Sequence, residues 1–305
     1  MITSMENAIV NLGRKIQERK RIRRGVKLSR SVGGTIAIVI FLVLIGAFMA
    51  LPIVYAVIQS VKPLDEIFAY PPRFFVNNPT FDNFRQVLLL TDNLWVPFAR
   101  YVFNSLFVTV VGTLLYVFFS TAAAYPLAKG TFFGKTLISH LIVWTLLFST
   151  DVTAIPKYLV IAKIGLIDTY WATIFPYLAT TMGVFLVRQF IVASIPDSTL
   201  EAARIDGASE YKIFSKIVLP GVRPAWLTLT IFAFTSLWNS ASPIEYIYSE
   251  NLKGLNAVMN SISTGGLGRT GPASAGAVIL MIPPIVIFII TQSSVMETMT
   301  HSGLK

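Results

Sequence analysis

The segment KGTFFGKT, Lys129 to Thr136, holds the residue types of a phosphate-binding loop: two glycines, a lysine and a threonine. Such a loop places four residues between its glycines. It joins a strand to a helix, so that backbone N–H groups wrap the phosphates and the hydroxyl reaches magnesium. Here only three residues separate Gly130 from Gly134, two of them Phe, and the apolar run LYVFFSTAAAYPLA stands where the strand belongs. No apolar strand ending in Asp follows to hold the metal. The spacing predicts a short turn between two apolar helices, with Lys129 and Lys135 anchoring the helix ends at lipid headgroups. ATP and magnesium are not expected on this chain.

Other reactive types are sparse. There is no cysteine, which excludes disulfides and cysteine-based metal sites, and the two histidines, His140 and His301, lack any ligand spacing. No metal site is expected. Asp151 is the one acid inside an apolar stretch, and an acid at membrane depth is a functional candidate unless the span end exposes it.

The longest polar run with internal order is RQFIVASIPDSTLEAARIDGASEYKIFSKIVLPGVRPA, from Arg188 to Ala225. Pro196 interrupts the preceding helix. Ser198 stands three residues before Glu201, the spacing of a capping box, and Asp197 and Glu201 favour the positive end of a new helix. Gly207 ends that helix through its freedom at positive φ. Ser209 caps a second one, running through Tyr211, Ile213 and Phe214 to Leu219 and Pro220. Two short helices at an angle, projecting from the membrane face, are the expectation.

The elements around these residues follow from composition. Of 305 residues 54% are hydrophobic and 13% charged, against about 25% charged in an ordinary soluble domain. Six stretches reach the roughly 20 apolar residues that span a bilayer: Thr35–Val61, Tyr101–Ala124, Leu137–Ala154, Tyr170–Val187, Ala225–Ile244 and Ala273–Met296. The fold class expected is an all-α membrane protein of six transmembrane helices with a cytoplasmic helical loop, residues 195–220. Proline within four of the spans (Pro52, Pro176, Pro243 and the Pro283–Pro284 pair) is tolerated where neighbouring helices re-satisfy the backbone.

Charge gives the orientation. Residues 1–33 carry nine Lys/Arg against Glu6 and Glu18, so +7 of the net +10 lies in this tail. Lysine and arginine collect on cytoplasmic flanks, which accounts for RKIQERKRIRR without nucleic acid as a partner. Met5, Ala8, Ile9, Leu12 and Ile16 recur at helical spacing, so the tail can lie on anionic lipid; a solvated terminus fits as well. Both termini are then cytoplasmic. The inside segments hold 17 Lys/Arg and the outside loops 8. The domains read as a basic tail, 1–33, and a transmembrane domain, 34–305.

The Arg188–Ala225 run resembles the EAA loop of ATP-binding-cassette importer permeases, whose pattern is E-A-A, three residues, G, nine residues, I-x-L-P. Glu201, Ala202, Ala203, Gly207, Ile217, Leu219 and Pro220 fill all seven fixed positions. FARYVFNSLFVTV, AAAYPLAKGTFFGK, IPKYLVIAKIGLIDTYWATIFPY, FLVRQFIVASIP and the outer stretch PPRFFVNNPTFDNFRQVL are similar to the branch that includes permeases for maltose and other oligosaccharides. The resemblance covers most of Pro71–Pro224 and is weaker in the last third, where FTSLWNSASPIEYIYS is similar to the family's fifth helix.

The resemblance implies a type I importer in a bacterial cytoplasmic membrane: two permease chains, usually unlike, two cytoplasmic ATPases that bind ATP and magnesium, and an extracytoplasmic solute-binding protein. It implies that residues 195–220 dock in a groove on the ATPase, the small Ala202 and Ala203 allowing close approach and Glu201, Arg204 and Asp206 making charged contacts. Closure of the ATPase pair then turns the cavity outward and hydrolysis resets it, so the permease is not itself an enzyme. The cargo implied is a carbohydrate. Peptides, amino acids or phosphorylated polyols are the alternative, because the EAA loop is shared. An ion-coupled transporter is the remote one, since it needs mid-membrane carboxylates and inverted repeats.

Candidates for the cargo path are polar and aromatic residues within spans: Asn104 and Ser105, Asp151, Thr180 and Thr181, and Ser236, Trp238 and Asn239. The same residue types also hydrogen-bond between membrane helices. The outer segment Asn251–Ser274, rich in glycine and serine, reads as a long irregular loop facing the binding protein.

Overall fold

A computed structural model describes residues 32–92, 96–148, 150–240 and 246–302. The basic tail through Ser31 lies outside the described residues, as do Pro243 and Ile244 of the fifth expected span. Every element among the described residues is helical. The chain divides into two compact units at Val54/Tyr55.

The first unit, over its described residues, is the leading part of α1 (Val32–Ser60), which contains Pro52. It is apolar and exposed almost throughout. Water does not solvate such a surface cheaply, whereas acyl chains do.

The second unit is built around α3 (Phe98–Lys129), preceded by α2 (Asp82–Asp92). After α3 come α4 (Lys135–Thr145), α5 (Thr150–Lys163), α6 (Trp171–Leu178) and α7 (Met182–Ser194). The chain then turns through α8 (Asp197–Ile205) and α9 (Glu210–Gly221, with a π turn at Phe214–Val218) into α10 (Arg223–Asn239). α11 (Leu255–Ser263) and α12 (Thr270–Ser302) complete it. α3 packs against α6, α7 and α10. Small residues set the crossings: a Cβ on Gly112 would stand 2.8 Å from Leu237 Cδ1, and one on Gly183 would stand 2.6 Å from the Tyr116 hydroxyl. Where hydrophobic driving force between helices is weak, this backbone approach is what packing relies on.

Three described helices are long and apolar enough to cross a membrane, Gly33–Ser60, Phe98–Lys129 and Thr270–Gln292. Counting each of two bent pairs as one crossing, α6 with α7 (41°) and α9 with α10 (74°), raises this to five. The chain is therefore a multi-pass membrane protein. The expected continuous third span is instead two helices. Thr145 Oγ1 donates to the Leu141 and Ile142 carbonyls at 2.6 and 3.0 Å, and Pro156 removes an N–H from the second turn of α5. The fourth span breaks at Ala179–Thr181, just after Pro176, where Thr180 Oγ1 donates to the Tyr177 carbonyl at 2.8 Å.

The segment 251–274 is less irregular than its glycines imply. Leu255, Val258, Met259 and Ile262 are buried on one face of α11, in a core shared with Val87, Tyr101, Phe234, Trp238 and Ala275. Spacing of three and four residues makes that face apolar.

Candidate functional site

At the C-terminal end of α3, the elbow formed by α8 and α9 has two distinct sides. Its underside is core: Leu200, Ile213, Val218 and Val222 are buried with Ala124, Val187, Ile191 and Leu229. Its outer side is open. Glu201, Ala202, Arg204, Asp206 and Gly207 are exposed there, with Ile205 at 86% and Tyr211 at 80% exposure. Ala203 is half-buried.

The bend is fixed by backbone chemistry. Gly207 sits at φ +77°, its N–H bonds to the Arg204 carbonyl at 3.0 Å, and the Ala208 N–H bonds to the Ala203 carbonyl at 3.0 Å. This is a Schellman motif, which satisfies carbonyls at the end of α8. Ser209 caps α9, its hydroxyl accepting from the Lys212 N–H at 3.3 Å. The expected capping box does not form. Pro196, extended at φ −65° and ψ 144°, takes the N-cap position, so Ser198 falls inside α8.

Polar bonds tie both arms to α3. Lys129 Nζ donates to Asp197 Oδ1 at 2.7 Å, the lysine side chain being only 9% exposed and the aspartate 75%. Tyr125 donates to Glu210 Oε2 at 2.6 Å, and Arg204 Nε donates to Glu210 Oε1 at 2.8 Å. These groups, with Glu201, line an open pocket of about 510 Å³. Lys135 Nζ donates to the Gly130 and Ala128 carbonyls at 2.8 and 3.3 Å. Neither lysine is therefore a simple headgroup anchor: one pairs with α8 and the other closes the turn. Gly130–Gly134 joins helix to helix, with Gly134 at φ +84°, which is not the strand-to-helix geometry that cradles phosphate.

Ile217 and Leu219 are half-buried, Ile217 packing on the elbow core and the Leu219 carbonyl accepting from Trp226 Nε1 at 3.2 Å; Pro220 is exposed.

The cargo-path candidates separate into bonded and open residues. Asn104 is buried; its Nδ2 donates to the Asn251 and Lys253 carbonyls at 2.8 Å each, and its Oδ1 accepts from Tyr170 at 2.7 Å. Ser105 is buried and accepts from the Leu255 N–H at 2.8 Å. Trp238 is buried, stacked on Phe234, and donates through Nε1 to the Leu280 carbonyl at 2.9 Å. By contrast Ser236 and Asn239 are exposed, and Thr180 and Thr181 are half-buried beside the break between α6 and α7. Asp151 is the second residue of α5; its side chain lies outside those described.

Asp168 was not singled out by sequence. It sits at φ +59° and its N–H bonds to the Tyr246 carbonyl at 2.8 Å. Its carboxylate accepts from the Tyr248 and Ser249 N–H groups at 3.1 and 2.9 Å and from the Ser249 hydroxyl. Desolvation pushes this carboxyl up, but the Ser249 and Tyr248 hydrogen bonds outweigh it, and the group lies below the usual aspartate value. It clamps two loops that are distant in sequence, which no local spacing announces.

Residues 90–296 match the family model described as binding-protein-dependent transport system inner membrane component. The chain belongs to this family. LplC of Bacillus subtilis is 34% identical over 206 residues, which is 66% of this chain and 65% of that one. The arabinooligosaccharides transport system permease protein AraQ of Halalkalibacterium halodurans is 28% identical, covering 85% of this chain and 92% of its own. A solved bacterial ABC transporter involved in import of the acidic polysaccharide alginate has a similar fold. Its TM-score is 0.71 at 23% identity, covering 87% of this chain and 98% of that one. Within this binding-protein-dependent family the chain is the membrane component and not the ATP-hydrolysing one.

Proposed function

We propose that the chain is the transmembrane permease of an ATP-driven importer that carries a carbohydrate, an oligosaccharide in particular, into the cytoplasm. The permease domain comprises residues 34–305 and crosses the bacterial inner membrane six times with both termini cytoplasmic, α4 and α5 together supplying one crossing. It pairs with an unlike permease subunit, two ATPase subunits that hold ATP and magnesium, and an extracytoplasmic solute-binding protein that meets Asn251–Ser274.

One observation carries the coupling role: the elbow is anchored beneath and bare on top. Its buried underside moves with α3, α7 and α10. Its outer face offers Ala202, Ile205 and Tyr211 among the charges of Glu201, Arg204 and Asp206, an apolar centre with a charged rim, which is the make-up of a protein–protein contact. A motor domain gripping this face can turn its own two states into helix tilting, as a bistable switch requires. The oligosaccharide relatives support the cargo class.

The test is reconstitution of the assembled complex in vesicles with binding protein outside and ATP inside. Wild type accumulates saccharide in an ATP-dependent manner, and Glu201→Lys assembles but hydrolyses ATP without uptake. Uptake driven by an ion gradient alone, with no ATPase in the purified complex, contradicts the reading.

A further inference from the structure

Beyond the exposed Phe232, the side of α10 turned away from the core carries polar groups where a lipid-facing helix carries hydrocarbon. Ser236, Asn239 and Ser240 are exposed, while Ala233, Phe234, Leu237 and Trp238 are buried. The Ser240 hydroxyl donates to the Ser236 carbonyl at 2.6 Å, but the Asn239 amide covered by acyl chains loses its water partners, so lipid is a poor cover for this part of the face.

The polar groups continue on both sides of α10. Toward α6, the Tyr177 hydroxyl lies near the Ser236 side chain. The Tyr177 ring is held edge-on against Tyr116 at 4.9 Å and 63°, one residue before the end of α6 and the break that follows. On the other side, Asn256 of α11 donates through Nδ2 to the Asn239 carbonyl, and Asn260 is exposed one turn further on. Irregular backbone at membrane depth is tolerated where it lines a cavity, which fits the position of Tyr177. The stripe Tyr177–Ser236–Asn239–Asn256–Asn260 thus joins three elements without a charged group in it. Of the nearby charges, Lys253 Nζ lies 2.6 Å from Glu250 Oε2, and the Arg100 guanidinium donates to the Asn251 carbonyl and the Tyr170 hydroxyl at 3.3 Å each.

We infer that this stripe is the chain's cargo track and that it takes a neutral, hydroxyl-rich solute in preference to an anionic one. The inference rests on the importer reading above. Amides and hydroxyls exchange hydrogen bonds with sugar hydroxyls, and the fixed Tyr177 face packs on the C–H side of a sugar ring. A carboxylate or phosphate entering the same stripe sheds water and finds no guanidinium or ammonium to pair with. The transporter of similar fold imports an acidic polysaccharide, so the fold alone does not dictate this charge preference.

The experiment uses the complete reconstituted complex, with neutral and uronate-containing oligosaccharides of equal length as probes. Tyr177→Ala and Asn256→Ala are expected to lower kcat/KM for uptake by about tenfold each, which is a barrier change of about 1.4 kcal/mol. Assembly with the ATPase stays as in wild type. Tyr177→Phe keeps the ring face and removes only the hydroxyl, so it is expected to lose no more than about threefold. Variants with wild-type KM and rate overturn the track. A cargo imported fastest when it bears a carboxylate or phosphate overturns the neutral preference. Absence of saccharide uptake by wild type defeats the importer's cargo assignment itself, and the track with it.

Discussion

The hydroxyl of Tyr125, one turn from the C-terminal end of α3, donates to the Glu210 carboxylate at 2.6 Å, while Arg204 holds the other oxygen of the same group at 2.8 Å. One carboxylate therefore joins the transmembrane hub to both arms of the elbow. The Arg204 and Glu210 side chains are well exposed, so the bonds contribute orientation more than stability. Tyr125→Phe with Glu210→Gln in a double-mutant cycle should give non-additive losses in saccharide carried per ATP hydrolysed, with unfolding hardly moved. Strict additivity of the two variants denies the link.

The ion pair of Lys129 with Asp197 is asymmetric. Asp197→Ala leaves a nearly buried ammonium without its anion, whereas Lys129→Met with Asp197→Ala removes both charges. The single variant should lower the thermal midpoint of the complex more than the double one. Lys129→Met alone should leave the nucleotide affinity of the ATPase unchanged, as measured by titration, since this lysine holds α8 and no phosphate.

Gly207 at φ +77° meets nothing within 4 Å of a built Cβ, so only backbone strain opposes a side chain there. Gly207→Ala should cost about 1–2 kcal/mol locally and Gly207→Asn less, because asparagine visits this region more readily. Hydrogen exchange at Gly207 and Ala208 reads the effect directly, the Ala variant exchanging faster than the Asn variant.

The Asp168 clamp gives a pH dependence with a definite sign. A carboxyl whose folded pKa is depressed stabilises above its unfolded value, and that contribution is lost as pH falls through the folded value. The loops around Tyr248 and Ser249 should therefore loosen in acid, below about pH 4, where an ordinary aspartate titrates. Asp168→Asn should be looser at pH 7 and lose most of this acid dependence, measured as hydrogen exchange at Tyr248 and Ser249.

Local chemistry was readable in the sequence where a few neighbouring residues decide it. Pro196, Gly207 and Ser209 divide the elbow as their spacing implies, and the failed phosphate loop is a helix-to-helix turn for the reason its spacing gives. What was not legible depends on which side of an element meets the rest of the fold. Asn104, Ser105 and Trp238 have the chemistry of a cargo site but are bonded into neighbouring segments, while Ser236 and Asn239, on the same composition argument, face outward. Ile205 escaped notice, and Tyr211 was read only as part of the second helix and not as an exposed contact, because isolated apolar residues in a polar loop carry no periodic signal. Ser198 and Glu201 show the opposite error, a motif present in sequence and overruled by the proline before it.

The account stands most directly on the exposed elbow face meeting an ATPase. The chain has no native cysteine, so Ala202→Cys supplies a single thiol at the centre of that face. Paired with single cysteines on the surface of the copurified ATPase, it should form a disulfide with one defined surface groove. Locking that disulfide should stop uptake, and reduction should restore it. Failure of every pair to cross-link in an intact, transporting complex would contradict the account.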